Sequence, residues 1–138
     1  MVNQNPGSLI FHQSNKNELS HWKMYLKVDS VEDLVEFNVH NNSDGISRSQ
    51  KSLILEIQKN YPALIYYIES FINKSLNYPP NSSDYIRIGI DIELYFIGIY
   101  ENSGESENWE MGYEEIKGFS YYSIDIKNGV PSSLEISA

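Results

Sequence analysis

The chain of 138 residues contains no cysteine, which excludes disulfides and thiolate chemistry and fits a reducing compartment. It has no apolar run near the roughly 20 residues that a membrane-crossing helix needs. Its opening, VNQNPGSLIFHQSNKNE, is polar apart from a short apolar cluster, so no secretory signal is expected there. A soluble cytoplasmic protein is the expectation. The Asn-x-Ser triplets at Asn41, Asn73 and Asn81 then stand idle, because glycosylation requires the secretory route. No G-x-S-x-G, P-loop or G-x-G-x-x-G pattern occurs, so nucleophile elbows and nucleotide cradles have no support in the sequence.

Basic charge is also scarce, and unevenly so. Residues 1 to 80 carry seven Lys/Arg against eight Asp/Glu, whereas residues 81 to 138 carry three against eleven, within a net charge of −9. An acidic half repels phosphate backbones and anionic lipid, so neither nucleic acid nor membrane is an expected partner. Basic proteins and cations are favoured instead; the alternative is acidity that serves solubility alone.

A hydrophobic content of 41% with 21% charged residues is that of a folded protein rather than a disordered one. The length predicts a single domain over residues 1 to 138, with residues 1 to 18 as a frayed terminus or a brief edge strand around Leu9, Ile10 and Phe11. Residues 84 to 101, DYIRIGIDIELYFIGIYE, predict a central strand. Ile86, Ile88, Ile90, Ile92 and Leu94 fall on one face, Arg87, Gly89, Asp91, Glu93 and Tyr95 on the other. The change of parity after Tyr95 predicts a bulge there, or burial of both faces beyond it.

Trp22, Met24, Leu26 and Val28 alternate with polar residues as a strand with a basic outer face. Val35, Phe37 and Val39 form a second strand, unless Ser30 caps a short helix over SVEDL. From Ser47 or Ser49 the period changes, with Ile54, Ile57, Tyr61, Leu64, Ile65, Ile68, Phe71 and Ile72 at helical spacing. Pro62 makes this one kinked helix or two short ones. Strands are expected around Trp109, Met111 and Tyr113 and again from Phe119 to Ile126. Asn128-Gly129 marks a tight hairpin, and Pro131 confines the remaining residues to an edge strand. The reading is α+β: an antiparallel sheet in the order β-β-α-β-β-β, with one further β if Leu134 and Ile136 pair, covered on one face by the helical segment of residues 47 to 76.

Several groups of residues bear on chemistry. Asp91 and Glu93 would stand roughly 6 to 7 Å apart on the wet face of their strand. Paired carboxylates at such spacing serve glycoside hydrolysis or share a cation, although any wet strand face bearing acids produces the same pair. His12, His21 and His40 show neither H-x-H nor H-x-x-x-H spacing. A cluster of His21 and His40 on adjacent strands and surface histidines with no ligand role both remain open; no metal or cofactor is expected. Glu101, Glu105, Glu107, Glu110, Glu114 and Glu115 lie in fifteen residues without Lys or Arg, interleaved with Tyr100, Trp109 and Tyr113. Aromatics in a ring of acids suit the capture of a basic protein. The partner-binding set is Tyr95, Tyr100, Glu101, Glu105, Glu107, Trp109, Glu110, Tyr113 and Glu114. The alternative is that Trp109, Met111 and Tyr113 are the buried face of a strand whose glutamates are its solvated reverse.

The helix opening Ile46-Ser47-Arg48-Ser49-Gln50-Lys51 and the cluster Trp109-Glu110-Met111-Gly112-Tyr113-Glu114-Glu115 resemble a loose group of small bacterial proteins. In these, two strands precede a helix beginning with a Ser/Thr-x-x-Gln-Lys signal, and acidic strands come after it; some are of the immunity type that neutralises a neighbouring cell's toxin. The resemblance spans residues 22 to 126. It implies a non-enzymatic acidic inhibitor that occludes a basic partner such as a toxin domain. The histidine associated with that cluster is absent, with Tyr113 or Glu115 in its place, so no metal or catalytic role carries over. The other functions to weigh are a carboxylate-based hydrolase or cation-dependent enzyme using Asp91 and Glu93, and a domain that self-associates as a homodimer through an edge strand.

Overall fold

The computed structural model describes residues 10–12, 21–41, 45–100 and 108–138. Seven strands form one sheet among these residues: β1 (Ile10–His12), β2 (His21–Leu26), β3 (Val35–His40), β4 (Ile92–Ile99), β5 (Trp109–Glu115), β6 (Tyr121–Lys127) and β7 (Val130–Ser137). They lie side by side in chain order. The fold is α+β as expected, with one correction: β3 and β4 run parallel, while every other neighbouring pair is antiparallel. The helix α1 (Arg48–Ser75) lies between those two strands in sequence, and such a crossover returns the chain in the same direction.

Local chemistry accounts for several of these boundaries. Ser47 and Gln50 form a reciprocal capping box, with the Gln50 N–H donating to Ser47 Oγ at 3.1 Å and the Ser47 N–H donating to Gln50 Oε1 at 3.0 Å. The helix is single and continues through Pro62; no pair of helices forms. A short helix over SVEDL does not form either, since Ser30 to Leu34 make a turn into β3. Asn128 and Gly129 take φ of 53° and 79°, both positive as a two-residue primed turn requires. A register shift between Leu94 and Phe96 places the expected bulge at Tyr95.

The central strand is shorter than its alternation predicts, because β4 starts only at Ile92. Residues 84 to 91 leave the ladder because side chains take over their backbone groups. Asn73 Nδ2 donates to the Ile86 carbonyl at 2.8 Å, and its Oδ1 accepts the Ile86 N–H at 2.7 Å. Glu69 accepts the Ile88 N–H and Asp91 the Arg87 N–H, both at 2.8 Å. Gly89, at φ 92°, completes a bend that L side chains rarely adopt. Ile86 stays buried beside Asn73, whereas Ile90 is 64% exposed.

The core lies between α1 and one face of the sheet. Leu53, Ile54, Ile57, Tyr61, Ile68 and Ile72 of the helix meet Phe37, Val39, Ile97, Met111, Tyr113 and Ile124 of the strands. Within it the Tyr61 and Tyr113 hydroxyls share a hydrogen bond of 2.6 Å. Gln50, fully buried, ties the helix start to two strand ends, with Nε2 donating to the His40 and Tyr100 carbonyls and Oε1 also accepting from Asn41. No helix among the described residues is long and apolar enough to cross a membrane.

Candidate functional site

The second face of the sheet has no described element packed on it. Strand alternation places Lys23 and Tyr25 of β2, Glu36 and Asn38 of β3, Phe96 and Gly98 of β4, Glu110, Gly112 and Glu114 of β5, and Tyr121 and Asp125 of β6 on that side. The bulge puts Tyr95 there as well, 36% exposed, with its ring 5.7 Å from that of Tyr121.

Two glycines let these rings lie low on the sheet. A Cβ at Gly112 would stand 3.1 Å from Phe96 Cβ and from Tyr95 Cε1, and one at Gly98 would stand 3.1 Å from Phe96 Cε2 and 3.0 Å from Glu110 Cγ. Those positions thus keep the backbone clear for aromatic cover. The result is a broad, shallow surface of Tyr25, Phe96, Tyr95 and Tyr121.

Carboxylates surround it. Partial burial, then Tyr121, Glu114, Glu36 and Glu110 in that order, push the Tyr95 hydroxyl above its ordinary pKa. Negative charge from β3 and β5 therefore converges on one phenol. At the upper end Tyr100 donates to a Glu110 carboxylate oxygen, and burial together with Glu110 and Asp125 holds its hydroxyl far above the usual range. Asn38 donates to Glu36. Lys23, 4.0 Å from Glu36, is the one cation in ion-pair contact with these acids among the described residues. Glu110, Asp125 and Glu135 also line a shallow cleft with Ser123, Ser133 and Leu134.

Of the residues expected at a partner surface, Tyr95, Tyr100, Glu110 and Glu114 come together here. Trp109 and Tyr113 do not, being 4% and 0% exposed on the face beneath α1, which is the buried-strand alternative. Glu101, Glu105 and Glu107 lie outside the described residues. Glu36, Tyr25, Phe96 and Tyr121 belong to the surface but are not marked out by the sequence; their alternation is visible there, but not which strands neighbour β4.

The Asp91 and Glu93 pair is separated by the change from bend to strand. Asp91 holds the Arg87 turn, while Glu93 borders a cavity of about 270 Å³ with Glu32, Asp33, Tyr61 and Ile65, among other residues, but not with Asp91. Among described side chains no group of three His, Asp or Glu is placed to hold a metal. The backbone register does set His21 opposite His40, and His12 opposite His21. No protein-family model, curated protein or solved structure matches the chain.

Proposed function

We propose that the chain is a non-enzymatic, cytoplasmic binding protein of the immunity or inhibitor kind, which covers a basic protein partner such as a toxin domain with the open face of its sheet. The observation that carries this reading is the placement of Glu36, Glu110 and Glu114 on the same open face as Tyr95, a face whose aromatic rings pack against Gly98 and Gly112. Tyrosines offer large contact area at low entropic cost and take lysine or arginine over their rings. Carboxylates around them accelerate encounter with a positive surface. A shallow sheet face suits another protein better than a small substrate, which is held in a deep concave pocket.

Surface plasmon resonance against a panel of basic toxin domains tests this, comparing the native chain with a Glu36→Lys, Glu110→Lys, Glu114→Lys variant. The expected result is a salt-sensitive association that the variant loses mainly through its on-rate. Unchanged binding by the variant would remove this face from consideration.

A second reading, self-association, is favoured by β7. It is an edge strand of eight residues with Val130 and Ile136 exposed, and such edges offer unpaired backbone groups to another strand. Light scattering of a Ser133→Pro variant, dimeric native chain against monomeric variant, is the expected contrast; a native chain that stays monomeric at high concentration ends this reading.

A further inference from the structure

Between α1 and the hairpin of β6 and β7 lies an apolar cavity of about 290 Å³. The helix contributes Leu64, Tyr67 and Ile68 to it, and the hairpin contributes Ile126, Val130 and Pro131. The register of β6 against β7 shifts between Asp125 and Ile126, so the hairpin is irregular just where it borders the cavity. Tyr67 and Val130 are exposed and form the rim. Trp109 of β5 is buried and belongs to the wall, and its indole N–H meets no acceptor among the described residues. Buried donors are ordinarily paired, so this one is open to an acceptor on a ligand.

We propose that this cavity binds a small neutral molecule with an apolar body and one acceptor oxygen, of the class of aryl or alicyclic ketones and esters, the oxygen accepting from the Trp109 indole N–H. An apolar cavity of about 150 Å³ holds benzene with its six carbons, so the volume here suits a body of about ten to twelve heavy atoms. Among the described residues none that lines the cavity carries a charge. An ionised ligand would give up its hydration there without a partner, which selects a neutral one. Apolar walls with a single polar group to fix orientation are the usual make-up of a small-molecule site, and a ligand restores the contacts that the unfilled lining lacks. The cavity lies on the helix side of the sheet, opposite the acidic aromatic face, so it does not depend on how that face is used.

Titration of the full chain with α-tetralone, and with tetralin as its counterpart lacking the oxygen, tests the assignment when followed by the indole N–H signals in proton–nitrogen NMR. The chain has two tryptophans, and Trp22→Phe identifies the signal of Trp109. The expected result is a saturable downfield shift of that signal with α-tetralone, binding of tetralin weaker by roughly two- to tenfold, and loss of this preference in Trp109→Phe. A Leu64→Phe, Val130→Phe double variant, which fills the cavity, should lose the response, with circular dichroism confirming that it and the other variants remain folded. No saturable shift at millimolar α-tetralone, equal affinity for the two probes, or a full response in the double variant overturns the site. Dimerisation in light scattering that abolishes the response overturns it too, because the occupant would then be a second copy of the chain.

Discussion

The Asp29 N–H donates to the Gln58 carbonyl at 2.9 Å, the oxygen that Pro62, four residues later, cannot reach with a donor of its own. A proline inside a helix leaves such a carbonyl without its usual partner, and here the turn after β2 supplies one. Gln58 Nε2 returns a bond to the Lys27 carbonyl, also at 2.9 Å, so one residue ties the helix to the turn twice. Replacing an interior proline by alanine stabilises an ordinary helix by about 3 kcal/mol. Pro62→Ala should gain less than about half of that in urea unfolding, since the new N–H competes for an occupied oxygen. The full gain would show that the link to Asp29 contributes nothing.

Gln50→Leu should be among the most damaging single changes. It withdraws bonds from the His40 and Tyr100 carbonyls, the Asn41 amide and the Ser47 N–H. Buried groups stripped of partners cost about 1 to 3 kcal/mol each, so a loss of at least about 3 kcal/mol is expected, with β3 and β4 protons near their C-terminal ends losing exchange protection first. A loss below about 1 kcal/mol would mean that the ties are dispensable.

Alkaline pH should unfold the protein through its buried phenols. Burial, only partly offset by the bond from Tyr113, raises Tyr61 to about 12, and burial pushes Tyr113 well above the ordinary value. In the unfolded chain both ionise near pH 10. Above that pH the unfolded state holds fewer protons than the folded one, so stability present below pH 10 declines toward about 12. The slope is about 1.4 kcal/mol per pH unit for each phenol. Urea midpoints measured between about pH 9 and 11 should show this decline, reduced in Tyr113→Phe. A flat profile would contradict burial of the pair. In a double-mutant cycle the two Phe variants together should cost less than the sum of the singles.

Gly112→Ala tests the packing of the aromatic surface against the sheet. Its Cβ would meet Phe96 and Tyr95 at 3.1 Å, and the Tyr95 ring is the part able to move. The expected outcome is loss of the Tyr95–Tyr121 ring contact in NMR, with a destabilisation of about 1 kcal/mol. An unchanged ring contact would mean that the glycine is not what lets the ring lie there.

The strands around Met24, Phe37, Met111 and Ile124 arise from alternation, the helix start from Ser47 and Gln50, and the last hairpin from Asn128-Gly129. Residues 84 to 91 carry an equally regular alternation and yet form a bend. Gly89 and Asp91 favour the bend locally, but the alternation does not show it; the amide of Asn73 and the carboxylate of Glu69, both on α1, compete successfully for the backbone groups of Ile86 and Ile88. Trp109 and Tyr113 show the same division. Period two separates them from Glu110 and Glu114, but only the position of α1 decides which side is covered.

What the sequence alone determined was the set of local outcomes, because a two-residue period, a capping box or a positive-φ turn acts between residues a few positions apart. The tertiary structure decided the parallel joining of β3 to β4 and the assembly of Glu36 with Glu110 and Glu114 around Tyr95. Each of these depends on which strands lie side by side, and strand pairing is set by burial of the whole core against α1 rather than by any neighbouring residue in the chain.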